Sequence, residues 1–349
     1  MIEIDGGVHS GSGTLLRYAA ALATVTHEPL HMFRIRAKRE KPGLRPQHLQ
    51  AVRACSAMCA GRLEGDEVGS QEIFFWPGKE LKGGAFRWDI GTAGSATMLA
   101  FALLPPALFS IAPCQVEITG GLFQDFAPTV FHMQRVLIPT IRKMGARVKM
   151  EMIRPGYVPL GQGQLRMSTN PLKRPLRALT RTTAGGLKQI YGTSLASHLR
   201  EEKVSERMAE RSRELLEKRG YEPRIEAVHD QSAVQKGAAL LLWVETETGC
   251  LLGADRAGKR GRSSESIAEF AVRSLLEDVE SGATVDRHLA DQLILFAALA
   301  DGLTEYVIPM VTDHIESNLW LVSKVLGVRP KLEGGHLSLE GIGLGPAVG

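Results

Sequence analysis

His288-Leu289-Ala290-Asp291-Gln292-Leu293-Ile294-Leu295-Phe296-Ala297-Ala298-Leu299-Ala300 is followed by Tyr306-Val307-Ile308-Pro309-Met310 and then by Val311-Thr312-Asp313-His314-Ile315-Glu316-Ser317-Asn318-Leu319. Residues 289–300 are apolar nearly all round, which suits a helix buried against a sheet. Residues 306–310 read as a strand and 315–325 as a second helix ending near Gly327, a natural C-cap. Residues 329–332 and 336–339 complete the stretch as a hairpin.

This order of helix, strand, helix and hairpin decides the fold because it occurs twice more upstream. The first copy comprises helix 14–24, strand 30–35, helix 46–59 before Gly61, and the strand pair 62–64 and 70–75. The second comprises helix 96–108, strand 115–119, helix 129–144 before Gly145, and the hairpin 147–153 and 164–167. One order found three times predicts an α+β protein built from repeated helix-strand-helix-hairpin units of βαβαββ type. The first two copies start about eighty residues apart and the third starts nearly two hundred further on, so roughly one hundred residues are inserted. The expected division is a large three-repeat domain, 1–179 and 284–349, with a smaller α/β domain inserted at 180–283. That insert carries a charged helix at 201–219, a strand at 238–246, a basic loop at 255–262 and a helix at 264–277.

A chain of 349 residues has ample length for a buried core, and its formal charge of +4 permits an RNA partner without arguing for one. Cys55 and Cys59 stand one turn apart in an apolar helix, a core arrangement rather than a zinc site, with Cys114 and Cys250 isolated. Four scattered cysteines point to a reducing compartment. The uncharged run 90–116 is long enough to span a bilayer, but Gly91, Gly94, Pro105, Pro106 and Pro113 break it. With no basic-then-apolar leader, the expectation is a cytoplasmic protein without a membrane partner.

Four places carry candidate chemistry. Asp5-Gly6-Gly7-Val8-His9-Ser10-Gly11-Ser12-Gly13 joins a strand to a helix and reads equally as a phosphate cradle or a plain turn, with Arg17 one turn into the helix. Arg36-Ala37-Lys38-Arg39-Glu40-Lys41-Pro42-Gly43-Leu44, leading to Gln47-His48, is the strongest anion-binding signal, against the alternative of a solvated loop. Gly120 to Pro128 occupies the corresponding place in the second unit. His314 lies in that place in the third, where it reads either as a nucleophile toward phosphorus or as a helix-capping turn residue. Asp291 is open between metal ligand, partner of His314 and helix-dipole residue.

Together these residues resemble the RNA 3′-terminal phosphate cyclases along nearly the whole chain. The similarity runs through Arg36-Ala37, Arg39, Lys41-Pro42-Gly43-Leu44, Gln47-His48-Leu49, Gly69-Ser70-Gln71, Gly91-Thr92-Ala93-Gly94-Ser95, Gly120-Gly121, His288-Leu289-Ala290-Asp291-Gln292, His314 and Asn318. The resemblance implies the three repeats and insert counted above. It also implies an ATP-dependent ligase that turns an RNA 3′-terminal phosphate into a 2′,3′-cyclic phosphate through an AMP-histidine intermediate on His314. By the same resemblance His288 and Pro128 sandwich the adenine, and Leu289, Ala290, Asp291, Gln292 and Asn318 belong to the ATP site. Arg17, Arg36, Arg39, Lys41, Gln47 and His48 are the phosphate and RNA residues, with Mg²⁺ or Mn²⁺ as the metal and Asp291 a candidate ligand. RNA with a 3′-phosphate end is the implied partner, and the residues point to no obligate protein partner.

The chain departs from the family pattern twice. Ser10 stands where the glycine-rich loop usually carries a glutamate, with Thr14 in place of the following glutamine, and Phe101 stands where a glutamine touches ATP. Two other readings stay open, a non-catalytic cyclase-like RNA-binding protein and an enolpyruvyl transferase built from a related unit.

Overall fold

The structure, a computed structural model, describes residues 1–9 and 11–346, so Ser10 lies outside the described residues. β1 (Ile2–Asp5) runs parallel to β2 (Leu30–Phe33), joined by α1 (Gly13–Thr26), which is buried from Gly13 to Val25. α2 (Pro46–Cys59) starts on a proline, which costs nothing in a first turn whose N–H groups lack helical partners. β3 (Arg62–Glu64) and β4 (Ile73–Trp76) complete a sheet of order β1-β2-β4-β3.

Next come β5 (Gly84–Asp89), α3 (Ala96–Leu108) and β6 (Cys114–Gly120). α4 (Val130–His132) passes through a π-helical turn (Met133–Leu137) into α5 (Ile138–Lys143). β7 (Arg147–Arg154) and β8 (Gly163–Asn170) close a second sheet of order β5-β6-β8-β7. After β9 (Thr180–Arg181), four strands form a sheet of order β11-β10-β12-β13: β10 (Leu187–Ser197), β11 (Arg224–Asp230), β12 (Gly237–Thr246) and β13 (Leu251–Ala257). α6 (Val204–Glu217) and α7 (Ser264–Glu280) cover it. The chain ends with α8 (Leu289–Leu299), β14 (Asp301–Val307), α9 (Asp313–Leu326), β15 (Lys331–Glu333) and β16 (His336–Ile342). Its sheet has the order β15-β16-β14-β9, with β9 parallel to β14.

The architecture is α+β. In all four sheets a parallel pair is followed by two antiparallel pairings, but the earlier strand of the parallel pair lies at the edge in the first, second and last sheets and the later one in the sheet of β10 to β13. One large core joins α1, α2, α3, α8 and α9, and a smaller one lies between α6, α7 and their sheet. The apolar run tested above for membrane length resolves into α3, a loop and β6, and among the described residues no helix is long and apolar enough to cross a membrane. Cys55, Cys59, Cys114 and Cys250 are free and buried.

Several elements differ from the sequence reading. The strand before His314 is Asp301–Val307, not 306–310, because its polar residues alternate with buried Thr304 and Tyr306, whereas Pro309 has no N–H to give a ladder. β5 escapes a hydrophobicity reading because it is largely exposed, and β10 because it mixes small and polar residues. The basic loop shrinks, since Asp255 to Ala257 belong to β13.

Phe101, the departure in α3, is a core residue only 2% exposed, with ring centroids 5.1 Å from Tyr18 and 5.7 Å from Phe296. Restoring a glutamine there buries an amide among aromatic rings. Phe101→Gln is therefore expected to cost about 3–5 kcal/mol, the range for deleting a buried ring. Thermal unfolding checks this, and an unchanged midpoint contradicts the packing role.

Candidate active site

α9 begins just after Thr312, whose hydroxyl accepts the Ile315 N–H, so Thr312 is the cap and His314 is the helix's second residue. From there the imidazole keeps solvent access while protein crowds around it. That crowding, together with the positive charges of Arg17 and Arg39, pushes its pKa below the ordinary histidine value. The shift favours the neutral imidazole at neutral pH. That is the state a nucleophile toward an anionic phosphorus requires.

Arg17 stands on the buried face of α1, with 7% of its surface exposed. One nitrogen reaches Thr14 Oγ1 at 3.3 Å, its Nε has no partner, and burial pulls its pKa down to about 10. A buried guanidinium left unsatisfied calls for an anion. His48 is buried nearby and accepts the Arg45 N–H at Nδ1 over 3.3 Å. Burial and the charges of Arg17, Arg36 and Arg45 hold it neutral, with a pKa of about 2. Gly13 makes this approach feasible, because a Cβ there would stand 2.0 Å from His48 Nε2.

The basic loop divides its labour. Arg36, with φ of 56°, donates to the carbonyls of Lys41 and Gly43 at 2.8 Å each, so it braces its own loop. Lys38 Nζ donates to the His9 carbonyl at 3.0 Å, joining this loop to the glycine-rich one, and His9 rests on Trp320 of α9. Gln47 Oε1 accepts the Ser95 N–H at 2.9 Å, tying α2 to the start of α3. Arg39 and Lys41 lie at the exposed surface.

His288 opens α8 and lines a cavity of about 180 Å³ with residues 124–127, 253–257 and Phe270. Pro128 directly follows that lining, its carbonyl held by Thr97 Oγ1 at 2.8 Å. Leu289, Ala290 and Gln292 are buried, so the two apolar members serve packing; Gln292 Oε1 lacks a partner. Asn318 donates to the carbonyl oxygen of Asp291 at 3.2 Å and to its carboxylate at 3.4 Å, while its own Oδ1 is unpartnered. Burial and the charge of Asp286 push the Asp291 carboxyl up to about 7. Among the described residues no group of three or more His, Cys, Asp or Glu could hold a metal ion. A Mg²⁺ held largely by substrate phosphates needs only one or two carboxylates, and Asp291 fits that lesser demand.

Sequence reasoning missed the residue that organises this region. Asp286 Oδ1 accepts the N–H groups of His288 and Leu289, each at 2.8 Å, and Oδ2 accepts the Gly253 N–H at 2.8 Å. His132 Nε2 donates to the same carboxylate at 3.0 Å, and both side chains are fully buried. Asp255 takes the Thr129 N–H at 2.7 Å, and Arg262 makes a bidentate pair with Asp125 at 2.9 Å. Only the position of Asp286 three residues before an apolar helix hinted at a cap; His132, inside an apolar helix, offered no signal.

The family model and the curated relatives agree on one family. A family model described as RNA 3′-terminal phosphate cyclase matches residues 8–332. The RNA 3′-terminal phosphate cyclase of Pyrobaculum neutrophilum is 35% identical over 98% of this chain and 99% of its own length. The proteins of that name from Korarchaeum cryptofilum and Nitrosospira multiformis are 36% and 38% identical, covering 98% and 94% of this chain and 99% and 92% of theirs. Among solved structures, the enolpyruvyl transferase NikO from Streptomyces tendae aligns with a TM-score of 0.28 and 13% identity, over 92% of this chain and 44% of that one.

Asp286→Asn removes the charge of the tie and sets an amide NH₂ where a carboxylate oxygen accepts, leaving His132 buried without a counter-ion. The expected cost is about 3–5 kcal/mol by thermal unfolding. Its pH dependence follows from both partners. Burial opposes the Asp286 charge, but His132 and the N–H donors outweigh it and hold the carboxyl at about 2, below its ordinary 3.8, so this contribution is present above 3.8 and lost as pH falls through 2. Burial opposes the His132 charge but Asp286 outweighs it and raises the pKa, so that contribution is present below 6.5 and lost as pH rises through the raised value. The gap between wild type and variant should be widest between pH 3.8 and 6.5; a gap independent of pH contradicts the charged pair.

Proposed function

The chain belongs to the RNA 3′-terminal phosphate cyclase family, and from that premise we propose that it uses ATP to convert an RNA 3′-terminal phosphate into a 2′,3′-cyclic phosphate. The feature that carries the mechanism is the place of His314 at the solvent-reaching start of α9, where burial and the charges of Arg17 and Arg39 lower its pKa. A nitrogen of His314 attacks the α-phosphorus of ATP; the N–P bond forms as the bond to pyrophosphate breaks. The same guanidinium groups stabilise the charge that builds up at phosphorus and on the leaving group. A terminal phosphate oxygen of the RNA then attacks that phosphorus and displaces His314. Finally the neighbouring 2′-OH attacks the activated 3′-phosphate, loses its proton, closes the ring and releases AMP.

In this reading His288 and Pro128 hold the adenine, and Asp291, Gln292 and Asn318 lie beneath the nucleotide, with Leu289 and Ala290 packing the helix that carries them. Arg39 and Lys41 engage the RNA phosphate, while Arg36, Gln47 and His48 keep their loop in place. Mg²⁺ or Mn²⁺, carried with ATP and touching Asp291, would neutralise phosphate charge. The orphaned atoms Arg17 Nε, Gln292 Oε1 and Asn318 Oδ1 support a polar ligand above α1, α8 and α9. We further propose that the three sheets of matching order are copies of one unit, and that the insert starts after Arg181, since Thr180 and Arg181 pair with β14. Four free cysteines suit the reducing cytoplasm.

Incubation with α-labelled ATP and Mg²⁺ or Mn²⁺ is expected to label the protein with an acid-labile adenylate that His314→Ala and His314→Asn abolish. Folded wild type that takes no label with either metal removes the cyclase reading and favours an RNA-binding relative without catalysis. The profile of kcat/KM for ATP should fall toward acid with an apparent pKa below 6.5, because burial and the two arginines depress His314 from that value. A midpoint above 6.5 contradicts the neutral-imidazole assignment.

A further inference from the structure

A second and larger cavity, about 660 Å³, opens between residues 157–159 and the sheet that carries β12. Arg207, Lys236, Lys259, Arg260 and Arg262 line it, and among the described residues no carboxylate does. Its floor is apolar, formed in part by Val158, Pro159, Leu199 and Ile267. The cations are not equally committed. Arg262 is locked to Asp125, which Lys259 also approaches at 3.9 Å, and Arg207 pairs with Glu265 at 2.8 Å, whereas Lys236 pairs with Glu202 at 3.1 Å across an exposed surface, a bond of little net worth. Arg260 is exposed and makes no ion pair or hydrogen bond among the described residues. The first residues of the long helix α7, Ser264 and its cap Ser263, also face this space, so the positive end of the helix adds to the field.

Positive charge over an apolar floor is the chemistry of single-stranded nucleic acid, which offers phosphates on one side and base faces on the other. The cavity also adjoins the proposed nucleotide pocket. That pocket is lined through Ala257, this one begins at Gly258, and the Arg262–Asp125 pair forms the wall between them. We infer that this cavity seats a nucleotide of the RNA strand upstream of its 3′ end, with Lys236, Lys259 and Arg260 on backbone phosphates and a base against Val158 and Pro159. The inference rests on the cyclase reading for the identity of the strand. It gives the segment between β9 and α8 a role in selecting substrates by length, because a very short RNA reaches the nucleotide pocket without reaching this cavity.

The test uses the full chain and the double variant Lys236→Ala, Arg260→Ala, with two 3′-phosphorylated RNAs, a dinucleotide and a longer unstructured strand. Loss of two phosphate contacts should weaken binding of the longer strand about tenfold. It should also flatten the slope of log Kd against log salt by about 1.4, at about 0.7 per contact. Adenylation by ATP and cyclisation of the dinucleotide should remain at wild-type levels, which shows that the variant is folded. Unchanged affinity and salt slope for the longer strand, in a variant that still adenylates, overturns the inference and leaves the cyclase reading standing. Wild type that fails to adenylate but binds the longer strand through Lys236 and Arg260 removes that reading and keeps the cavity as an RNA site.

Discussion

The buried carboxylate of Asp286 is the constraint on which the site depends. It receives two N–H groups from the start of α8, one from β13 and the imidazole of His132. A buried anion is costly unless paired and fully hydrogen-bonded, and this one is both. Four donors from three chain segments leave Asp286 little freedom, so they fix His288, β13 and the helix that follows Pro128 relative to one another. Gly253 belongs to the same constraint, since a Cβ there would come within 2.8 Å of Val136 and 3.2 Å of the His132 ring.

Around this tie, the molecule keeps charge where water is scarce. Arg17 is almost wholly buried and incompletely bonded, and His48 stands neutral among arginines. Such an arrangement costs stability in the free protein and favours an incoming phosphate, which would satisfy the groups that protein leaves open. Burial first, and then the charges of Arg17 and Arg39, lower the His314 pKa, so in the proposed reading the charges that would receive the anion also favour the nucleophile.

Much of this was legible in the chain. The apolar helices at 96–108 and 289–299, the proline-led helix at 46–59 and the capping glycine at 327 are local signals that packing did not override. The recurring anion-prone loops after corresponding strands pointed to Arg39 and His314. What could not be read was the tertiary chemistry. Asp286 looks like an ordinary acidic residue before a helix, and His132 like one polar residue in an apolar helix. Their meaning comes from a contact between positions 154 residues apart. The basic loop with Arg262 showed only its charge, whereas in the structure Asp125 draws it onto the wall of the proposed nucleotide pocket. Phe101 stands where the resemblance expects a ligand contact, and its packing role in the core could not be read from a helix apolar on every side.

The central claim is that one pocket, closed by segments from three distant parts of the chain, delivers the α-phosphorus of ATP to His314. A crystal structure with an ATP analogue that resists cleavage between the α- and β-phosphates tests it most directly. The account predicts the base between His288 and Pro128, phosphates against Arg17 and Arg39, and the α-phosphorus in line with the imidazole of His314. A nucleotide seated instead in the larger cavity beside Lys236 and Arg260, with His314 facing solvent alone, would contradict it.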